Sequence, residues 1–343
     1  MQKVLRIGTR DSQLAVWQAT LLQGLLKDAG VASELVYIKS EGDIDTVTPL
    51  YALGVTGVFT KTLDAALLNN RIDIAVHSMK DVPVQLAEGI KQACVLKRAS
   101  HKDILVLHPD LKERDTDFIE GSSIISSDGS DFDLKFPLRE HPHKPGEPED
   151  IVIATSSSRR IAQWRYHFPN HKIENLRGNV NTRLRKLKES QWHGAIFAAA
   201  GLERIRLRPQ HSIDLDWMLP APAQGAIMVV CREQDDFAFN SCYSFNDEET
   251  ALCTKIEREF LSRLMGGCST PISALAKIKN GNVEFLGNIA DPEGIDLTST
   301  GVTFPLTRAS EVADIAAKTI LHGAGQAIID RIRNKGLNTN GEV

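Results

Sequence analysis

The sequence predicts an α/β protein of two lobes followed by a smaller α+β unit. Strand-like and helix-like periods alternate through the first hundred residues, and the same alternation returns between about 103 and 200. Beyond Asn246 the order becomes helix, three strands, helix. Alternation of the first kind means βαβ units and a parallel sheet, whereas segregated helices and strands mean α+β. The bulk numbers agree with a globular chain: 343 residues, 42% hydrophobic and 24% charged. That length suits roughly two to three domains.

In chain order, "VLRIGT" (4–9) reads as the first strand. From Asp11 the apolar residues Leu14, Trp17, Leu21 and Leu25 fall on one helical face, with Asp11 or Ser12 as N-cap. "SELVYI" is a second strand, "FTKTLDAALLNN" a helix, and "IDIAVHS" a third strand. The second lobe repeats the pattern with strands at "DILVLH" and "DIVIATS", a helix through "SSRRIAQWRYH" and a strand at "HKIENL". A helix at "NVNTRLRKLKES" and a strand at "GAIFAAA" complete it. The short strand "AIMVVC" (226–231) can return to the first sheet. The last unit has a long helix, "DEETALCTKIEREFLSRLM", then strands at "ISALAKI", "NVEFLGNI" and "TSTGVTF". A helix from about Ala309 to Arg333 closes it. The expected division is 1–102 with a return segment 225–243, then 103–224, then 246–343. One stretch fits neither period: residues 109–150 carry five prolines and 12 acids against 5 bases. They read as an acidic surface insertion with little to bury.

Several function classes are disfavoured. A net charge of −4 speaks against a general nucleic-acid binder. No apolar run reaches the ~18 residues of a membrane span, and the N-terminus has neither signal nor transit character. A cytoplasmic chain is expected. Five cysteines without a CxxC pair, and ten histidines without metal-ligand spacing, give no disulfide framework and no metal site. Cys94 and Cys231 lie in strand-like runs and read as small core residues.

Chemistry concentrates in three places. Residues 151–208 hold 12 Lys/Arg against 3 Asp/Glu, and several of these cations stand where loops enter helices. Such junctions are where α/β sheets bind ligands, and arginine forks grip carboxylate or phosphate. Arg185, Lys186 and Lys188 suit a solvated helix face, but Arg177, before a Gly-Asn turn, suits one poorly. In "AVHSMKDVP" a strand runs into Lys80 and Asp81 before Pro83 stops it. Asp81 is either a turn-capping carboxylate or a ligand-facing one that offsets a developing cation. "GTRDS" places Arg10 and Ser12 at the equivalent turn of the first strand. Finally, "RLMGGCSTPIS" sets Cys268 after two glycines, at the end of a helical pattern. That is either a helix C-cap with an incidental cysteine or a backbone opened for something bulky.

The segments "LRIGTRDSQLAVWQA", "DIAVHSMKDVP", "TSSSRR", "LRGNVNTRL", "AAAGLERI", "LPAPAQGAI" and "GGCSTPI" follow one another as in the porphobilinogen deaminase (hydroxymethylbilane synthase) family. The resemblance covers the chain except 109–150, and seven ordered motifs are specific where one is not. It implies two lobes like those of periplasmic binding proteins with a cleft between them, and a small third domain carrying the cysteine loop. It implies a transferase of haem-type tetrapyrrole biosynthesis that joins four porphobilinogen molecules head to tail with loss of ammonia. A dipyrromethane cofactor would be held by a thioether to Cys268, and Asp81 would be the catalytic aspartate. Ser12, Lys80, Ser157, Arg159, Arg160, Arg183 and Arg204 would bind cofactor. Arg10, Arg177 and Gln224 would bind substrate, whose carboxylates accumulate as the chain grows. The implied partners are porphobilinogen and the growing polypyrrole, with no nucleic acid and no membrane, and the chain is expected to be a monomer. The loop "YALGVTGVFTK" resembles the family's mobile loop but has Ala52 and Thr56 where lysines often stand. The acidic insertion has no counterpart in the motif pattern. A non-catalytic anion-binding protein on the same two-lobed fold is the alternative, and it would need neither Cys268 nor Asp81.

Overall fold

A computed structural model describes residues 3–39, 60–111, 150–264 and 270–338. Cys268, the loop with Ala52 and Thr56, and most of the acidic insertion lie outside the described residues.

The first lobe is a five-stranded sheet. It contains β1 (Leu5–Thr9), β2 (Ser33–Tyr37), β3 (Ile74–Ser78), β4 (Ile90–Leu96) and β10 (Ile227–Arg232), in the order β2-β1-β3-β10-β4. The second has the matching order β7-β6-β8-β5-β9, built from β5 (Asp103–Leu107), β6 (Val152–Ala154), β7 (Lys172–Glu174), β8 (Gly194–Ala198) and β9 (Ser212–Asp214). Neither sheet is wholly parallel, which corrects the expectation of parallel sheets. β1 pairs in parallel with β2 and β3, but β10 runs antiparallel to β3 and β4. In the second lobe β6 is parallel to β7 and β8, while β5 is antiparallel to β8 and β9. The reversed strand in each sheet is the one reached by a direct crossing from the other lobe, so no returning helix turns it around. These crossings, 97–102 and 215–226, are the two passages of chain between the sheets.

Helix α1 (Gln13–Asp28) shows how the sequence pattern settles. It buries Ala15, Gln18, Ala19, Leu22 and Leu26, not the face through Leu14, Trp17, Leu21 and Leu25. Leu21 is exposed, and Trp17 and Leu25 only flank the core. The two alanines let the helix lie close on β1 and β3, which turns the larger neighbouring stripe sideways. Ser12 takes the N-cap position, although its side chain makes no capping bond. Helix α2 (Lys61–Leu68) covers the other face of this sheet with Leu63 and Leu67.

In the second lobe α3 (Ser158–His167) carries the buried Trp164, which packs with Phe168 and Trp217. α4 (Val180–Glu189) is capped by the Asn179 side chain, which accepts from Thr182 N at 2.9 Å. The expected strand through Ala200 ends at Ala198, where α5 (Ala199–Arg204) begins. A short helix, α6 (Asp236–Tyr243), follows β10.

The third unit is an antiparallel sheet of β11 (Ile272–Lys279), β12 (Asn282–Ala290) and β13 (Leu297–Pro305). One face packs on α7 (Glu248–Arg263) and α8 (Val312–Ile320) through Phe260, Phe285, Ile289, Ala316 and Ile320. Asp247 caps α7, its carboxylate accepting from Thr250 N at 2.9 Å. The single helix expected from Ala309 to Arg333 is interrupted. A 3₁₀ turn covers Leu306–Glu311, and a wide turn over Leu321–Gly325 separates α8 from α9 (Gln326–Asn338). Gly323 sits there at φ −94°, ψ −149°, a break that the glycine-rich "HGAG" permits.

Candidate active site

The site begins at the carboxyl end of β3. A 3₁₀ turn, Met79–Asp81, follows the strand and sets Lys80 and Asp81 half-buried at the seam between the lobes. The turn is held from the third unit. Arg258 of α7 donates from Nη1 to Val82 O at 2.8 Å and from Nη2 to Pro83 O at 2.6 Å and Val84 O at 3.1 Å. One charged fork thus satisfies successive carbonyls just beyond Asp81.

Facing this turn is a buried charge cluster of the second lobe. Asp103, at the start of β5, has no exposed surface, yet two adjacent arginines of α3 converge on it. Arg159 Nη2 stands 2.7 Å from Asp103 Oδ2, and Arg160 donates to Oδ1 from Nη2 at 2.6 Å and from Nε at 2.9 Å. Burial alone would raise the Asp103 carboxyl pKa, but Arg159, Arg160 and Lys80 outweigh it and hold the group below its usual range. Gln224 ties this cluster to the turn. Its Nε2 donates to Asp103 Oδ1 at 3.0 Å and His101 O at 2.8 Å, while its Oε1 accepts from Lys80 Nζ at 3.4 Å.

Cations outnumber anions here, and several are disfavoured by their surroundings. Burial pushes Lys80 down to about 8, with Asp81 pulling upward and Arg160 downward. Burial likewise pushes Arg183 down to about 10, Arg160 adding to that push while Asp81 opposes it. Arg204 is pushed down to about 10 by burial. Arg159 Nε is buried without a partner among the described residues. A cluster that destabilises its own positive charges and leaves a donor unmet is one that an anionic ligand would relieve. The donor set therefore fits the carboxylate-bearing dipyrromethane that the sequence resemblance implies.

The remaining expected residues are placed around this centre. Arg177 is buried after β7, within electrostatic reach of Arg183, whose Nε donates to Gly178 O at 2.7 Å. Ser157 is the N-cap of α3 and Ser12 that of α1, neither hydroxyl being spent on capping. Arg10 follows β1 and lies near His77, whose pKa burial, with a smaller push from Arg10, lowers to about 4. Arg204, in the last turn of α5, donates to Gly225 O at 2.7 Å and lies 5.7 Å from the Trp17 ring of the first lobe. Close beside it, Asn181 Nδ2 donates to Gln13 Oε1 at 2.9 Å, a second contact from lobe to lobe.

Sequence reasoning passed over Asp103, Arg258 and Glu257. Glu257 is fully buried and accepts from Arg98 Nη1 at 2.6 Å, from Ala223 N at 2.6 Å and from Ala276 N at 2.8 Å. A carboxylate heading an apolar strand was the visible signal for Asp103. Glu257 and Arg258 sit within a helix rich in charge, where nothing local separates them from surface residues.

Comparison with known proteins places the chain in a family. The model of the porphobilinogen deaminase, dipyromethane cofactor binding domain matches residues 5–130 and 133–240. That of the porphobilinogen deaminase C-terminal domain matches 251–322. The first match runs into the acidic segment from both sides, so the segment is not wholly outside the family's pattern, as the motifs alone had suggested. A rice (Oryza sativa subsp. japonica) protein named porphobilinogen deaminase, chloroplastic, is 40% identical over 311 residues, covering 88% of this chain and 78% of that protein. The porphobilinogen deaminase of Syntrophotalea carbinolica is 36% identical over 329 residues, 95% of each chain. A probable porphobilinogen deaminase of Methanocaldococcus jannaschii is 41% identical over 275 residues, covering 80% of this chain and 82% of that one. Among solved structures, the VFT2 domain of Bordetella pertussis BvgS covers 72% of this chain and 90% of its own at 12% identity and a TM-score of 0.37, a likeness on which nothing further is built. By the two family matches and these relatives, the chain belongs to the porphobilinogen deaminase family.

Proposed function

We propose that this chain condenses four porphobilinogen molecules head to tail, releasing ammonia at each joining, and that water releases the product as hydroxymethylbilane. The observation that carries the reading is the gathering of the buried Arg159, Arg160 and Arg177 with the half-buried Lys80 and Arg183 near Asp81, cations that outnumber the acids beside them. Each pyrrole brings two carboxylates, so the substrate and the growing chain supply the opposite charge.

The residues divide the work by chemistry. Arg159, Arg160, Arg183, Arg204 and Lys80, with Ser12 and Ser157, bind the carboxylates of the dipyrromethane. Arg10, Arg177 and Gln224 receive the incoming ring. Asp81 accepts pyrrole N–H donors and offsets the positive charge that the substrate develops as ammonia leaves. Asp103 holds the two guanidinium groups in place beside one another. When bound, dipyrromethane supplies the nucleophilic ring carbon to which the first substrate is joined.

Cys268 is the proposed anchor, through a thioether. The other four cysteines support this by exclusion, since all are buried. Burial pushes Cys94 and Cys253 up to about 12 and Cys231 to about 11, and raises Cys242 as well. None of these would be a thiolate near neutral pH. We assign the chain to the cytoplasm and to a monomer; among the described residues no helix is long and apolar enough to cross a membrane.

The test is the intact mass of the purified protein under denaturing, reducing conditions. The expected result is an added mass of two pyrrole units, lost in Cys268→Ala. In parallel, Asp81→Asn should still carry the adduct but turn over at least ~10²-fold more slowly, the usual cost of removing an electrostatic partner of the transition state. An active protein with unmodified Cys268 would overturn the anchor. A near wild-type rate in Asp81→Asn would overturn the role of the carboxylate.

A further inference from the structure

We propose that Gln163 is a positioning residue, fixing the strand that follows the Cys268 loop against the helix that carries Arg159 and Arg160. The inference rests on the reading that Cys268 carries the dipyrromethane, and it concerns what sets the place of that anchor.

Gln163 lies one helical turn after Arg159 on α3, so the two side chains share a face. It is 2% exposed, and its whole amide is engaged. Oε1 accepts from Leu219 N at 3.0 Å. Nε2 donates to Leu219 O at 3.0 Å and to Ser273 Oγ at 3.0 Å. Leu219 O also accepts from Arg159 Nη1 at 2.7 Å. Ser273 is the second residue of β11 and stands five positions after Cys268 in the chain. One amide therefore joins the crossing segment that leads to Gln224, on whose Leu219 carbonyl Arg159 also donates, to the start of the strand beyond the cysteine loop.

The surroundings make the amide more than packing. Ala274 N donates to Pro220 O at 3.1 Å, so the start of β11 is sewn to this crossing at consecutive residues. Leu219 itself packs on Leu275 and Leu286. In the same cross-strand row Ser273 pairs with Asn288, and Asn288 with Ser299. Both Asn288 amide atoms and Ser299 Oγ are buried without partners among the described residues. Of that row, Ser273 is the member held from the second lobe, and Gln163 is what holds it. An apolar side chain of similar volume could fill the space but could not fix the direction of Leu219 or Ser273.

The experiment compares Gln163→Leu with Leu286→Ala, which loosens the same seam without touching the amide. Both are produced as full chains. Covalent loading is read by denaturing intact mass, kcat and KM by steady-state kinetics, and stability by thermal midpoint. Gln163→Leu should lose about tenfold or more in loading or in kcat, with KM changed less than about twofold, as small misplacements of reacting groups do. Leu286→Ala, at an equal or lower midpoint, should load and turn over near the wild-type level. Ser273→Ala removes only the bond across the seam, so it should fall in the same direction by less, and it stands in if Gln163→Leu does not fold. Equal loading and kcat in Gln163→Leu and Leu286→Ala, or an unaffected Ser273→Ala, would overturn the proposal. A wild-type chain without an adduct on Cys268 would instead overturn the anchor assignment, a different result from a loaded wild type with an indifferent Gln163.

Discussion

Lys80 and Asp81 are adjacent in the chain, but their surroundings push them to different tasks. The ammonium of Lys80 is held among arginines, and burial brings its pKa down to about 8. In the unfolded chain a lysine titrates near its ordinary value of about 10.4. Between about 8 and 10.4 the unfolded state therefore holds a proton that the folded state has released. Stability contributed by this group rises with pH across that window, and below about 8 the cost of burying the charge is fully present. Ligand binding runs the other way, because a carboxylate is attracted by the ammonium and not by the amine. KM for porphobilinogen should then climb as pH rises through about 8, and Lys80→Gln should remove that climb while raising KM below it. Steady-state kinetics between about pH 6.5 and 9.5 check this. An unchanged climb in Lys80→Gln would assign the titration to another group. Both residues were legible from "AVHSMKDVP", because a strand ending in charge before proline is a local signal. Asp103 showed only as a carboxylate heading an apolar strand, because its role depends on Arg159 and Arg160, more than fifty positions away and brought near only by the fold.

Among the elements, α7 works harder than its sequence suggests. Cys253, Ile256 and Phe260 build the core of the third unit. The residues between them, Glu257 and Arg258, point out of that core into the first lobe and the crossings. A hydrophobic periodicity argument finds the helix and its apolar stripe, and it classes the charged stripe as solvated. Here that stripe is the fastening for the Asp81 turn. Arg258→Met keeps most of the side chain's bulk but leaves the carbonyls of Val82, Pro83 and Val84 without their donor. Losing charge-assisted bonds to buried acceptors should cost roughly 2–3 kcal/mol and reduce kcat as the turn loosens. Arg258→Lys, able to reach fewer of the three, should fall between. Denaturant unfolding of both variants, alongside their kinetics, checks the order, and an Arg258→Met of wild-type stability and rate would show that the turn holds itself. The helix expected from Ala309 to Arg333 teaches the opposite lesson. Its apolar period is continuous, yet glycines at 323 and 325 let the chain break within it.

For the molecule as a whole, the two passages of chain between the lobes are the feature on which the site depends. The two lobes and the third unit followed from periodicity, because long alternations average over local noise. The antiparallel fourth strand in each sheet did not, since direction is set by how the chain crosses. Both crossings lie side by side at Gly225. Its φ is +88°, and a Cβ there would stand 2.5 Å from Ser100 O and 2.8 Å from Ala99 O, both main-chain atoms of the other crossing. Its carbonyl accepts from Ala99 N at 3.1 Å and from Arg204 Nη2 at 2.7 Å. Gly225→Ala must therefore adopt a strained backbone and push the crossings apart together, at a cost of about 1–3 kcal/mol or more. The same change should disturb Arg204 and Gln224, one on each side of the residue, so kcat/KM should fall with the thermal midpoint. Gly24→Ala is the matching control, because a Cβ in that position of α1 meets nothing within 4 Å. Replacing glycine in a helix interior should raise stability by about 0.5–1 kcal/mol and leave kinetics alone. If Gly225→Ala proved as stable and as active as Gly24→Ala, the crossings would be free to separate, and the spacing of the lobes would have to be set by the contacts at Trp17 and Asn181 instead.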